Sequence, residues 1–160
     1  MTLLTRHNFR VELVLSGLGG DEALVQGTTE NPKGAFSEVA GLEIAIEPVT
    51  FREGGYHAGP RQLPGKTTTV PLVLKRGLSL DPGFWHWIRR CTQGGYPLPY
   101  ISGSVFVRGP NPAEEDAAEF RFVNGFASKV KTADLNAGDA RDVPIEELHI
   151  VHEGWWRQDA

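Results

Sequence analysis

Cysteine is almost absent: Cys91 stands alone in 160 residues. No disulfide can form within the chain, and no cluster of thiolates can hold zinc. No apolar run is long enough for a membrane-spanning helix, and the opening "MTLLTRHNFRVEL" lacks the apolar core of a signal peptide. Membrane insertion is therefore not expected, and the chain is expected to stay in the cytoplasm unless an assembled machine carries it elsewhere. A basic excess is also missing. The 16 Lys and Arg are outnumbered by 20 Asp and Glu, for a net charge of −4, the wrong sign for a specific nucleic-acid site. Internal repeats, low-complexity tracts and linkers are lacking too, so residues 1–160 are expected to form a single domain large enough to bury its own core.

Beta-strand patterning is abundant. Phe9, Val11, Leu13 and Leu15 share one face of a first strand. Ser16 to Gly34 is punctuated by glycines and "NPKG" and reads as an extended surface loop, with a short turn around Glu22 to Val25. The most informative stretch runs from Phe36 to Gly77. Apolar and polar residues alternate at Leu42, Ile44 and Ile46, break at Pro48, and resume from Val49 to Arg52. A Gly/Pro-rich loop from Gly54 to Lys66 follows, and then a strand from Thr67 to Lys75. Such a loop suits a flexible arm better than a pocket wall.

Asp81 offers an N-cap with Pro82 at the first helical position, and Gly94 and Gly95 mark the end of a helix from Pro82 to Thr92. Phe84, Trp85, Ile88 and Cys91 fall on its inward face. Trp87, about 160° round from Trp85, is expected to point elsewhere. Beyond the helix, Ser104 to Arg108 and Glu119 to Val123 pair across "GPNPAEEDAA", and Gly125 to Thr132 is another extended run. In the last strand, Asp142 to His152, Val143 and Ile145 share one face and Leu148 and Ile150 the other, which a bulge near Glu146–Glu147 would reconcile. The expected fold is mainly β: an antiparallel β-barrel or sandwich with one α-helix and a long inter-strand loop.

Chemistry-bearing motifs fail on inspection. "GPRQLPGKTT" has the glycines and lysine of a phosphate loop, but five residues separate Gly59 from Gly65 where four are needed, and β-branched residues follow instead of a helix. "HIVHE" places His149 and His152 three apart on a strand, hence on opposite faces and without a third ligand. Cys91 reads as a small core residue. Ser16, Ser37, Ser79, Ser102, Ser104 and Ser128 lack a nucleophile-elbow setting, and Glu114, Glu115 and Asp116 form a solvated acidic run. No catalytic, metal or cofactor site is expected. The terminal pair Trp155–Trp156 reads equally as a packing plug or as a contact for another subunit.

Several blocks, taken in order, resemble the tube proteins of contractile phage tails and injection systems. They are "FSEVAGL" at Phe36 to Leu42, "FREGG" at Phe51 to Gly55, "LPG" at Leu63 to Gly65 and "LKRG" at Leu74 to Gly77. The helix "FWHWI" at Phe84 to Ile88, "NGF" with Lys129, "LNA" at Leu135 to Ala137 and "IEELHIVHEG" at Ile145 to Gly154 continue the series. The likeness extends from about Phe9 to Gly154 and to the tube protein of type VI secretion. It implies a structural, non-enzymatic subunit that forms six-membered rings stacked as a hollow tube inside a contractile sheath. The implied partners are further copies of the chain, sheath protein, baseplate and tube-cap proteins, and cargo in the lumen.

On this reading the expected inter-subunit contacts are Arg52, Glu53, Gly54, Gly55, Tyr56, Leu63, Pro64, Gly65, Lys75 and Arg76, with Glu38 adding register. The length of Ser16 to Gly34, and Ala127 where the family often has proline, also fit a specialised ring joining tube to baseplate. A small ligand-binding or hydrolytic barrel, with Gly54 to Lys66 as its lid, is the alternative from another class.

Overall fold

The computed structural model describes residues 9–16, 23–27, 36–78, 82–94, 98–109, 116–133 and 143–158. Its strands in chain order are β1 (Phe9–Ser16), β2 (Ala23–Gly27), β3 (Phe36–Ala40), β4 (Ile44–Phe51), β5 (Arg61–Thr69) and β6 (Leu72–Gly77). After the helix α1 (Pro82–Thr92) come β7 (Tyr100–Arg108), β8 (Asp116–Lys131), β9 (Ile145–Val151) and β10 (Gly154–Gln158). Among the described residues, eight strands form one antiparallel sheet in the order β2-β1-β7-β8-β9-β6-β3, with β10 also on β8, while β4 and β5 pair only with each other.

Alternation builds the core. Val11 and Leu13 of β1, Ile101 and Val105 of β7, Phe122 of β8, Leu148 and Ile150 of β9, Leu72 and Leu74 of β6 and Phe36 of β3 form one continuous buried cluster. A single cluster fed by strands from one end of the sheet to the other requires the sheet to curl over itself. The curl stops short of a barrel: among the described residues no ladder joins β2 to β3.

Strand β8 bends within its own length. Sequence patterning splits this segment into two runs, yet it is one strand of 16 residues. At Asn124 its φ is +52°. Before that point β8 pairs with β10 (Phe122 opposite Trp155), and after it with β9 (Phe126 opposite Val151). Gly125 fills the inside of the bend, where a Cβ would lie 2.7 Å from Ile150 Cγ2.

Three expectations of strand layout need correction. The loop expected from Ser16 to Gly34 contains β2, which pairs with β1 (Leu13 opposite Val25); residues 17–22 and 28–35 lie outside the described residues. The strand expected from Thr67 to Lys75 is two, β5 and β6, parted at Val70 and Pro71. No bulge lies at Glu146–Glu147, because β6 and β9 stay in register from Leu72↔Ile150 to Gly77↔Ile145. Glu146 instead takes an inward position beside Leu148 and Ile150. Its burial is made possible by Arg76, which occupies the matching inward position on β6 and donates to it.

Helix α1 has the expected bounds, but its inward tryptophan is Trp87. Trp87 is 2% exposed, with Ile88 buried beside it, whereas Trp85 is only partly buried. The reason is polar: Trp87 Nε1–H donates to the carbonyl of Pro99 at 2.9 Å, which lets the large ring be buried with its one donor satisfied. Gly94, at φ +67°, closes the helix. Asp81, Gly95 and the side chain of Phe84 lie outside the described residues.

Candidate subunit interface

Strands β4 and β5 form a two-stranded ribbon standing apart from the main sheet. All eight residues of β4 are exposed, and β5 is exposed except at Gly65 and Thr69. The apolar alternation that elsewhere makes a core here faces solvent: Ile44, Ile46, Val49, Phe51, Tyr56 and Leu63 are all exposed, Ile46 at 57%. Val49 pairs with Leu63 and Phe51 with Arg61, while Ile44 and Ile46 alternate to the opposite face. Both faces of the ribbon thus carry uncovered apolar side chains.

The break expected at Pro48 is real. The ladder shifts between Ile46↔Thr67 and Pro48↔Pro64, so β5 carries one extra residue there. Proline has no N–H to give a ladder, and an irregularity is where a strand tolerates it. Gly65 sits beside this bulge, where a Cβ would come within 2.5 Å of the Glu47 carbonyl oxygen.

The tip, residues 52–60, is shorter than the expected loop from Gly54 to Lys66. Tyr56 N–H donates to the Glu53 carbonyl at 3.2 Å, and Gly55 and Gly59 turn at φ +89° and +109°. Arg61 Nε lies 2.9 Å from Glu53 Oε2, and its guanidinium stacks over the Tyr56 ring at 4.9 Å. These exposed contacts are worth about 0–1 kcal/mol each and shape the tip without making it rigid.

The structure gathers Arg52, Glu53, Gly54, Gly55 and Tyr56 at the tip and Leu63, Pro64 and Gly65 on β5. Lys75 lies on the body, its Nζ 3.0 Å from Glu38 Oε1 across the β3–β6 ladder. Arg76 is inside the subunit and 2% exposed, so its guanidinium presents no surface to a neighbour. Sequence reading missed Ile44, Ile46, Val49 and Phe51. Their signal was visible, but alternation alone does not say whether a face meets its own core or solvent.

Elsewhere, Trp155 packs edge-on against Phe120 at 5.8 Å, whereas Trp156 is exposed. Burial raises the pKa of Cys91, which disfavours a reactive thiolate. His149 contacts Glu147, and His152 is buried beside Phe122. Among the described residues no three metal-ligating side chains converge, and no helix is long and apolar enough to cross a membrane.

Comparison with solved structures finds the same fold. A chain of the anti-feeding prophage baseplate, determined by cryo-EM with 6-fold symmetrisation, superposes with a TM-score of 0.78 at 18% identity, covering 99% of this chain and 97% of that one. A chain of the extracellular contractile injection system PVC sheath–tube complex gives 0.75 at 17% identity, with 99% and 93% covered. Hcp1 from Flavobacterium johnsoniae gives 0.52 at 13% identity, with 94% and 99% covered. Comparison with curated protein sequences gives no match. The family model for T4-like virus tail tube protein gp19 matches residues 5–156, nearly the whole chain. The chain therefore belongs to the T4-like tail tube family and is a structural tube protein of a contractile phage-tail-like particle.

Proposed function

We propose that residues 1–160 form one tube domain, the repeating subunit of six-membered rings that stack into a conduit, and that the β4–β5 ribbon is the arm by which one subunit engages the next. The observation that carries this reading is the ribbon's apolar surface on both faces. A lone two-stranded ribbon is marginally stable in water, and apolar side chains kept exposed on both faces are stabilised once neighbours cover them. Association around a closed rotation axis would cover the ribbon without runaway growth. The 6-fold symmetrised baseplate that holds a similarly folded chain supports the ring number.

Sheath, baseplate and cap proteins are the further partners this role requires, with assembly in the cytoplasm and cargo passing through the lumen. A net charge of −4 per subunit favours a polar lumen that repels acidic cargo and passes neutral polypeptide. The specialised ring joining tube to baseplate is a second reading, favoured by the length of Ser16 to Gly34 and by Ala127. A ligand-binding or hydrolytic barrel falls with the family assignment. Negative-stain electron microscopy of the purified protein tests the proposal: stacked tubes support the repeating subunit, single unstacked rings the specialised one, and dispersed monomers at every concentration would overturn both.

A further inference from the structure

The ribbon leaves the body through two short roots, residues 41–43 before β4 and 70–71 after β5. The roots press together: a Cβ on Gly41, whose φ is +91°, would stand 2.2 Å from the Pro71 carbonyl oxygen. Glu43 N–H donates to the Gly41 carbonyl at 2.8 Å, closing a tight turn. Beyond this neck, among the described residues, neither β4 nor β5 packs substantially on any other element. Something at the neck must fix the ribbon's direction, or it would sweep a cone and lose orientational freedom each time it docked.

The first root meets the junction between β9 and β10. Trp155 Nε1–H reaches the Glu43 carbonyl at 3.4 Å, and its ring is held from the body side by Phe120. His152 is buried, its ring centroid 5.9 Å from that of Phe122. The junction is itself pinned to the bend in β8. Glu153 N–H donates to the Val123 carbonyl at 3.2 Å, and Asn124 Nδ2 donates to Glu153 Oε2 at 2.6 Å.

We propose that Trp155 is a positioning residue that holds the ribbon root at Glu43 and so sets the direction in which the ribbon leaves the body. The clamp transmits the fixed geometry of the β8 bend to an element that has little packing of its own. It deepens the reading of the ribbon as an inter-subunit arm and rests on it for its purpose, since an arm aimed in advance docks without an orientational search.

The test is a distance across the neck. Spin labels at Thr50→Cys on β4 and Arg89→Cys on α1, in a Cys91→Ser background, are read by pulsed electron paramagnetic resonance. Labelled protein is diluted into unlabelled protein, so that only distances within one chain are seen. The parent should give a single narrow distribution. Trp155→Phe keeps a ring against Phe120 but removes the donor. It should cost the narrow peak while the body still melts cooperatively. A lower melting temperature with an unchanged distribution would show that Trp155 merely supports the core, and would overturn the clamp. A broadened distribution in a variant that still assembles normally would uphold the clamp and count against the ribbon as the arm.

Discussion

Arg76 and Glu146 lie side by side within the body, Nε to Oε2 at 2.9 Å, each 2% exposed. The next inward pairs along the same two strands are Leu74 with Leu148 and Leu72 with Ile150. The ion pair thus occupies the third rung of an otherwise apolar ladder. Breaking such a pair leaves a buried charge without its main partner, at a cost of about 3–5 kcal/mol. Glu146→Ala should therefore lower the melting temperature sharply. Arg76→Leu combined with Glu146→Leu should recover most of the loss, because two apolar side chains can replace a buried pair at little cost. Thermal melts of the three variants decide it, and a double variant no better than the single one would refute the account.

Trp87 and Trp85 should separate clearly on substitution. Truncating a buried tryptophan typically costs about 3–5 kcal/mol, and Trp87→Ala also strands the Pro99 carbonyl. Trp85→Ala, at a partly buried position, should cost clearly less. Chemical denaturation of both variants, read as midpoints at constant slope, checks the order; a reversed order would mean that the helix turns its other face to the core.

Acid should weaken the subunit in two separate ranges. Burial holds the His152 pKa below 6.5, only partly offset by the backbone of Val70 and Gly154. The unfolded chain therefore takes up this proton more readily than the folded one. The stability that depends on neutral His152 is complete above about pH 6.5 and is lost as pH falls from there toward the folded value. Glu147 acts lower down. A hydrogen bond with His149 holds its carboxyl below 4.5, so its contribution is present above that value and lost beneath it. Melting temperatures followed from neutral pH downward should show the first decline in the parent and not in His152→Leu; an identical decline in both would assign it to other groups.

Charge placed on the ribbon should abolish assembly while sparing the fold. Ile46 and Phe51 are exposed at 57% and 51% on opposite faces, so Ile46→Asp and Phe51→Asp should each change subunit stability by no more than about 0.5 kcal/mol. Light scattering and sedimentation should show either substitution shifting the protein from rings to monomers. Normal rings from both variants would remove the ribbon from the interface.

Gly65→Val tests the ribbon's internal geometry. A Cβ there would lie 2.5 Å from the Glu47 carbonyl oxygen, so the β4–β5 ladder must distort at the bulge. Amide exchange should quicken in β4 and β5 and stay slow in β6 and β9. Unchanged exchange in the ribbon would mean that the bulge shifts freely enough to admit a side chain.

Much of this protein was legible in residue order. Period-two alternation marked β1, β7 and the core halves of β6 and β9, because each inward residue there meets a neighbour of its own kind. Proline and glycine marked the helix bounds and the irregularity at Pro48, since both act through local backbone geometry. The ordered blocks from "FSEVAGL" to "IEELHIVHEG" pointed to the family before any fold was seen.

The rest depended on what lies across space. Ile44 and Ile46 have the same rhythm as Leu72 and Leu74, yet one pair is exposed and the other buried, because only the second has a sheet curled over it. Glu146 looked like the cause of a phase change until Arg76 was placed opposite it, from 70 residues away in the chain. Trp87 was turned inward by a carbonyl at Pro99 that helical periodicity does not see. Sequence sets the spacing of side chains along each element. Whether a face becomes core, ion pair or uncovered arm is decided by which element the tertiary fold lays against it.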